Sequence, residues 1–160
     1  MARRDRLRKK QTDLRPTSSK VRLALFNILY DVSGTRFLDL FAGTGEVGLD
    51  ALKKGADKVV FVEKNKKRAF EIKKKVSKHF SNYKVYPEDS IKFLKSYGEN
   101  FNIIFADPPY NYKDYNKLID LALLKLEDNG IFILEHNSNN SFGADKERKY
   151  GDTVLSFFYK

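Results

Sequence analysis

Residues 37–48 read Phe37-Leu38-Asp39-Leu40-Phe41-Ala42-Gly43-Thr44-Gly45-Glu46-Val47-Gly48. An apolar run of strand length meets two glycines, and apolar residues at helical spacing follow. Glycine belongs where a backbone turns tightly or comes close to a ligand. The stretch therefore predicts a strand over 37–41, a ligand-facing loop, and a helix over about 46–54.

The same rhythm continues on both sides. A strand over 59–62 precedes a Lys-rich helix at about 66–80, with Ala69, Ile72, Val76 and Phe80 on its buried stripe. A short strand near 84–86 precedes a helix at about 89–97. A strand over 103–106 precedes a helix at about 114–125, and a strand over 131–134 follows Gly130. Upstream, Arg15-Pro16-Thr17-Ser18 reads as a helix start, capped by Thr17 or Ser18 and followed by Val21, Leu25, Ile28 and Leu29. Gly34 is expected to stop that helix. The strands are continuous apolar runs, as in a parallel sheet covered on both faces. Lys146–Tyr150 and Thr153–Tyr159 flank Gly151-Asp152 and read as a hairpin. The fold expected is α/β: a doubly wound, mostly parallel seven-stranded sheet of Rossmann-like type, with an antiparallel C-terminal strand pair. Residues 1–14 are expected to form a basic arm and residues 15–160 one domain.

Composition narrows the function. The 160 residues include no cysteine, so neither a disulfide framework nor a thiolate metal site is expected. No apolar run approaches the ~20 residues of a membrane span, and no apolar stretch follows the N-terminal charges. A soluble, monomeric, cytoplasmic protein is the expectation. Net charge is +10, and residues 1–22 hold nine basic against two acidic residues. Arg3, Arg4, Arg6, Arg8, Lys9, Lys10, Arg15, Lys20 and Arg22 make this segment the footprint of a polyanion binder, such as RNA. The lysines of 66–78 lie mostly off the buried stripe and read as a solvated face.

Gly43, Gly45 and Gly48 formally match GxGxxG, which leaves several nucleoside cofactors open. Glu63-Lys64 ends the second strand, where an acid can bind ribose hydroxyls. Charge favours one class of cofactor. A pyrophosphate seeks a positive helix N-terminus, whereas here Asp39 precedes the loop and Glu46 opens the helix. Both acids suit a cofactor with a cationic middle and no phosphate, which points to S-adenosylmethionine. Asp39, Phe41, Ala42, Gly43, Gly45, Glu46, Glu63, Lys64, Asp89, Ser90 and Asp107 are the candidate contacts. Asp89-Ser90 opens a later helix: Asp89 reads as a cap that also accepts from the adenine amino group.

Asp107-Pro108-Pro109-Tyr110 follows the apolar run 103–106. Two prolines end a strand and stiffen the turn. Asp107 is thereby held at a strand end and Tyr110 is free to stack on a planar ring. Two acceptors, the Asp107 carboxylate and a main-chain carbonyl of the turn, can bind the hydrogens of a nucleobase amino group. That offsets the charge developing when its nitrogen attacks a methyl group, and Asp107 also adjoins the cofactor contacts. Glu135-His136 is a weak metal signal without further ligands, so a hydrogen-bonding role is expected and no metal.

These residues resemble class I N-methyltransferases acting on exocyclic amines, and more narrowly the RsmD family of small-subunit rRNA guanine-N2 methyltransferases. The resemblance runs from about Arg15 to Lys160. It includes Arg15-Pro16-Thr17 with Val21-Arg22 and Leu25-Phe26-Asn27, the glycine loop, Phe61-Val62-Glu63, Asp107 to Tyr110, Glu135-His136, and Lys149-Tyr150-Gly151-Asp152-Thr153 with Leu155-Ser156-Phe157. It implies chemistry at Asp107, Pro108, Pro109 and Tyr110. It also implies S-adenosylmethionine at the glycine loop, Glu63 and Asp89, and ribosomal RNA within a small-subunit assembly intermediate as substrate. Members usually carry a basic, glycine-containing strand pair before the Arg-Pro-Thr segment; with about 14 residues before it here, RNA docking is expected to use a shorter, charge-driven arm. Asp-Pro-Pro-Tyr also fits adenine-N6 methyltransferases acting on DNA or RNA. A nucleic-acid-binding module and a nicotinamide oxidoreductase are the remaining alternatives.

Overall fold

The computed structural model describes residues 17–160; the arm, its boundary with the domain, and the cations Arg3, Arg4, Arg6, Arg8, Lys9, Lys10 and Arg15 lie outside the described residues. Helix α1 spans Ser19–Leu29, and Ser18 caps it by accepting from the Val21 N–H at 3.2 Å. There follow β1 (Arg36–Leu40), α2 (Glu46–Lys53), β2 (Lys58–Val62), α3 (Lys66–Val76), β3 (Tyr83–Tyr86) and α4 (Ser90–Ser96). The chain continues through β4 (Phe101–Ala106), α5 (Tyr115–Leu124), β5 (Leu126–Asn137), β6 (Lys146–Tyr150) and β7 (Thr153–Tyr159). None of the described helices is long and apolar enough to cross a membrane.

The seven strands form one sheet in the order β3-β2-β1-β4-β5-β7-β6. Pairings among β1 to β5 are parallel, while β5–β7 and β6–β7 are antiparallel. The chain leaves β1 toward β2 on one side and returns to β4 on the other. The switch point thus lies between β1 and β4, where Leu40 stands beside Ala106 in register. Loops after both strands open at this edge, which is where doubly wound sheets take ligands.

Both faces of the sheet are covered. Leu25, Phe37, Phe61, Ile72, Phe105 and Phe157 bury one face beneath α1, α2 and α3. Leu38, Phe93, Ile104, Leu118, Phe132 and Leu134 bury the other beneath α4 and α5. Each fully buried Leu or Phe side chain contributes about 1.5–3 kcal/mol. This explains why the strand runs are apolar without alternation.

Most boundaries shift by one or two residues from the sequence expectations, and three differ by more. Helix α1 ends at Leu29 rather than near Gly34, because Tyr30 takes a positive φ of 65° and its N–H bonds to the Phe26 carbonyl. Helix α3 ends at Val76, and Phe80 packs on the core from the turn beyond it. Strand β5 begins at Leu126, five residues before the expected start, since its register against β4 shifts between Phe101 and Ile103. The turn-like residues 127–130 sit inside that irregularity, with Asn129 at φ 64°.

Gly48 shows how tightly α2 is laid on the sheet. A Cβ there would stand 2.3 Å from Phe61 Cε1, inside the wall formed by a fully buried ring. Gly48→Ala is expected to cost about 1–3 kcal/mol through overpacking, read as a lower urea midpoint.

His136 is buried at the end of β5. The Asn137 carbonyl lies 2.9 Å from Nδ1 and can only accept, so Nδ1 carries the hydrogen; Nε2 then accepts from the Ser156 hydroxyl at 2.6 Å. Burial lowers the His136 pKa, outweighing the Asn137 hydrogen bond and nearby Glu147, which act in the opposite direction. Between the unfolded and folded values the unfolded chain binds a proton that folded His136 refuses. The stability is therefore present above the unfolded value and is lost as pH falls toward the folded one. Urea midpoints are expected to drop from about pH 7.5 to about pH 5.5, the range around imidazole titration, and to drop less in His136→Gln. Ser156→Ala leaves Nε2 without its donor and should cost about 1–3 kcal/mol at the upper pH.

Candidate active site

The loops after β1, β2 and β4 enclose a cavity of about 480 Å³ at the switch point, a size in the range of small-molecule sites. Of the residues singled out in the sequence, Asp39, Phe41, Ala42, Gly43, Glu46, Glu63, Lys64, Asp89, Ser90, Asp107 and Pro109 line it.

The glycine loop is shaped by backbone constraints. Phe41, Gly43 and Gly45 take φ values of 54°, 60° and 78°. A non-glycine residue there carries local strain, and Phe41 uses it to turn its ring edge-on to Tyr112, with centroids 5.2 Å apart. Gly45 is the N-cap of α2 and offers no side-chain acceptor. Asp39 supplies one from β1: its Oδ2 accepts from the Gly48 N–H at 3.0 Å. Burial pushes the Asp39 carboxyl well above its ordinary pKa; the Gly48 N–H pulls it down, and Glu63 adds a smaller upward push.

Glu63 is buried and bridges two loops. Oε1 accepts from the Gly43 N–H at 2.9 Å, and Oε2 from the Asn65 N–H at 2.7 Å. Asn65 in turn caps α3 by accepting from the Arg68 N–H. Asp89 caps α4, with Oδ2 accepting from the Lys92 N–H at 3.1 Å. Asp89 caps the helix as expected and also stands in the cavity wall.

Glu46 corrects a charge argument. Lys75 Nζ lies 2.7 Å from one of its oxygens, and Arg22 lies 3.1 Å from the other. Burial raises the Glu46 pKa, but these two cations outweigh it and hold the carboxyl below its ordinary value. Its negative charge is balanced inside the protein, and Asp39 is buried with Oδ2 committed to the Gly48 N–H. Neither acid therefore supplies the open negative charge that the sequence sets against a pyrophosphate. Arg22 also corrects an expectation: it lies 3.4 Å from Asp50 as well as bonding Glu46, so it fastens α1 to α2. Lys20, two residues earlier, is exposed.

At the transfer end, Asp107 follows β4, and its Oδ2 accepts from the Thr17 hydroxyl at 3.3 Å. Thr17 is buried and lines the cavity, so the start of α1 positions Asp107. Pro108 is buried under the turn and Gly45 faces Ile72; neither lines the cavity, contrary to expectation. The Tyr112 N–H bonds to the Pro109 carbonyl at 3.0 Å, closing a turn that leaves Tyr110 71% exposed outside the cavity.

Thr17, Thr44, Val47, Asn65, Arg68, Phe105 and Tyr112 also line the cavity and are not among the site residues expected from the sequence. Tyr112 is the informative one. Its hydroxyl is buried without a hydrogen-bond partner among the described residues. Burial, helped by Asp114, Asp89 and Tyr115, pushes its pKa up to about 12, so it stays a donor. Spacing after Asp-Pro-Pro-Tyr was the available signal. The set of groups fits a nucleoside: carboxylates at Glu63 and Asp89 for hydroxyl and amino hydrogens, and apolar rings at Phe41 and Tyr112.

Comparison with known proteins identifies the family and agrees with the fold. The family model described as Conserved hypothetical protein 95 matches residues 1–159. YlbH of Bacillus subtilis (strain 168), provisionally named an rRNA methyltransferase, is 32% identical over 153 residues, covering 91% of this chain and 81% of its own length. Ribosomal RNA small subunit methyltransferase D of Escherichia coli (strain K12) is 36% identical over 119 residues, covering 73% of this chain and 58% of that enzyme. The solved structure of yhhF from Escherichia coli superposes with a TM-score of 0.83 at 27% identity, covering 92% of this chain and 88% of that one. The chain belongs to the family described as Conserved hypothetical protein 95, which is the RsmD family its motifs resemble.

Proposed function

We propose that the protein transfers a methyl group from S-adenosylmethionine to the exocyclic N2 amine of a guanine in small-subunit (16S) ribosomal RNA. The observation that carries this reading is Asp107, held by Thr17 at the rim of a nucleoside-sized cavity. The names of the relatives support rRNA of the small subunit as the substrate. The substrate is an assembly intermediate rather than bare RNA, the protein acts as a monomer, and a ribosomal target implies the cytoplasm.

When bound, S-adenosylmethionine would supply a methyl carbon to an aligned nitrogen, the thioether leaving as S-adenosylhomocysteine and the amine's proton passing to water. Glu63 accepts from ribose hydroxyls through the lone pairs its backbone partners leave unused, and Asp89 accepts from the adenine amino group. Tyr112 donates its buried hydroxyl into the same pocket. Asp107 accepts a hydrogen of the guanine amine, which favours a pyramidal nitrogen and offsets its growing positive charge. The rigid Pro108-Pro109 turn fixes this geometry, so alignment supplies much of the rate. Tyr110 stacks on the base, a contact worth about 1–3 kcal/mol.

Because Asp107 is needed as an acceptor and not as a base, Asp107→Asn should retain far more kcat than Asp107→Ala. The Ala variant should lose about a hundredfold or more. Equal loss in both would argue for proton transfer through the carboxylate. Calorimetry is expected to show both variants binding S-adenosylhomocysteine, and to show the unaltered protein preferring it to NAD. Tighter binding of NAD would overturn the cofactor assignment.

A further inference from the structure

The chain's positive charge sits in two places. Residues 64–78 hold eight basic residues and one acidic residue, a net +7 matching that of residues 1–22. Everything outside these two segments holds fourteen basic against eighteen acidic residues, a net −4. The second cluster is helix α3 with its flanks.

Helix stability does not account for this cluster. Lysines at the C-terminal end of a helix favour its dipole, and Lys73, Lys74 and Lys75 occupy that end. Lys66, Lys67 and Arg68 open the same helix with no acidic residue in its first turn. Cations there oppose the dipole at a cost of about 0.3–1 kcal/mol.

The helix also exposes a ring. Ala69, Ile72 and Val76 turn to the core, whereas Phe70 is 64% exposed. Lys66 and Lys67 lie one turn before it, and Lys73 and Lys74 one turn after it; all four are exposed. Positions three and four apart share a helix face. Phe70 is therefore an apolar plate framed by four ammonium groups. Asn65 and Arg68 at the head of α3 line the cofactor cavity, so the helix starts at the site's rim, while Phe70 faces outward on its opposite side.

We infer that the outer face of α3 is a docking surface for an unpaired segment of the substrate RNA, with Phe70 stacking on a base while Lys66, Lys67, Lys73 and Lys74 contact the phosphates. The inference rests on the RNA reading of the site and extends it to a second point of contact. Stacking on an aromatic ring within a basic groove is how single strands are held without sequence preference. An apolar protein partner would gain little from four flanking lysines, and a duplex offers no exposed base face.

The chain contains no tryptophan, so Phe70→Trp places a single fluorophore on this face. Its emission is expected to be quenched saturably by unstructured RNA, and not by a blunt RNA duplex or by anionic vesicles. Phe70→Ala should weaken binding of the same RNA roughly five- to a hundredfold. It should also raise KM for small-subunit particles, leaving kcat and S-adenosylhomocysteine affinity unchanged. The double variant Lys66→Gln, Lys73→Gln should flatten the log–log salt dependence by about 1.4, at ~0.7 per single-strand phosphate contact. Absence of quenching together with unchanged RNA affinity in Phe70→Ala overturns the inference, as does quenching by vesicles alone. Methyl transfer by the unaltered protein separates the two claims. Transfer with a silent Phe70 removes only the docking face. Quenching without any transfer to rRNA removes the proposed reaction and leaves the face.

Discussion

One buried carboxylate ties the working elements together. Glu63 directly follows β2 and accepts from Gly43 in the loop after β1 and from Asn65 at the head of α3. Hydrogen bonds to a charged acceptor contribute about 1.5–3 kcal/mol each, and a buried donor left unmatched costs about 1–3 kcal/mol. Two loops from neighbouring strands thus share one anchor, and the floor of the cavity is set by it. On the adjacent strand Asp39 has a parallel role, supplying α2 with the acceptor that Gly45 lacks. The residues that shape the pocket and those proposed to touch the cofactor are the same residues.

The charges around the site follow a similar pattern. Glu46 receives Lys75 from α3 and Arg22 from α1, so three helices meet at one carboxylate. Partly exposed pairs of this kind contribute little stability each, about 0–1 kcal/mol; their effect is to fix the relative placement of helices that carry the cavity wall. Thr17 extends the same frame to the reaction end, since it opens α1 and bonds Asp107. The start of α1 and the end of β4 are therefore coupled at the rim.

Most of the architecture is legible in the sequence because its signals are local. Apolar runs of four or five residues, glycines at 43 and 45, and the Gly151-Asp152 turn each specify a nearby conformation, and the sheet follows from their order. The first half of β5 is not legible, because Glu127, Asp128, Asn129 and Gly130 look like a turn and instead form an irregular stretch of strand. In the site, residue identity is legible and residue duty is not. Asp39 and Glu46 look like open charges in sequence, yet one caps a helix and the other is paired. Those duties depend on Gly48, Lys75 and Arg22 arriving from other elements. Thr17 meets Asp107 across 90 positions, which no spacing rule reveals. The basic helix α3 reads as merely solvated in sequence, because the sequence does not show Phe70 standing exposed among its lysines.

The central claim is the identity of the methylated atom. Tritiated S-adenosylmethionine, purified protein and small subunits from a strain lacking the enzyme give the most direct measurement, followed by digestion of the rRNA to nucleosides. The account predicts label in N2-methylguanosine of 16S rRNA. Label in N6-methyladenosine, or no label in rRNA at all, would contradict it.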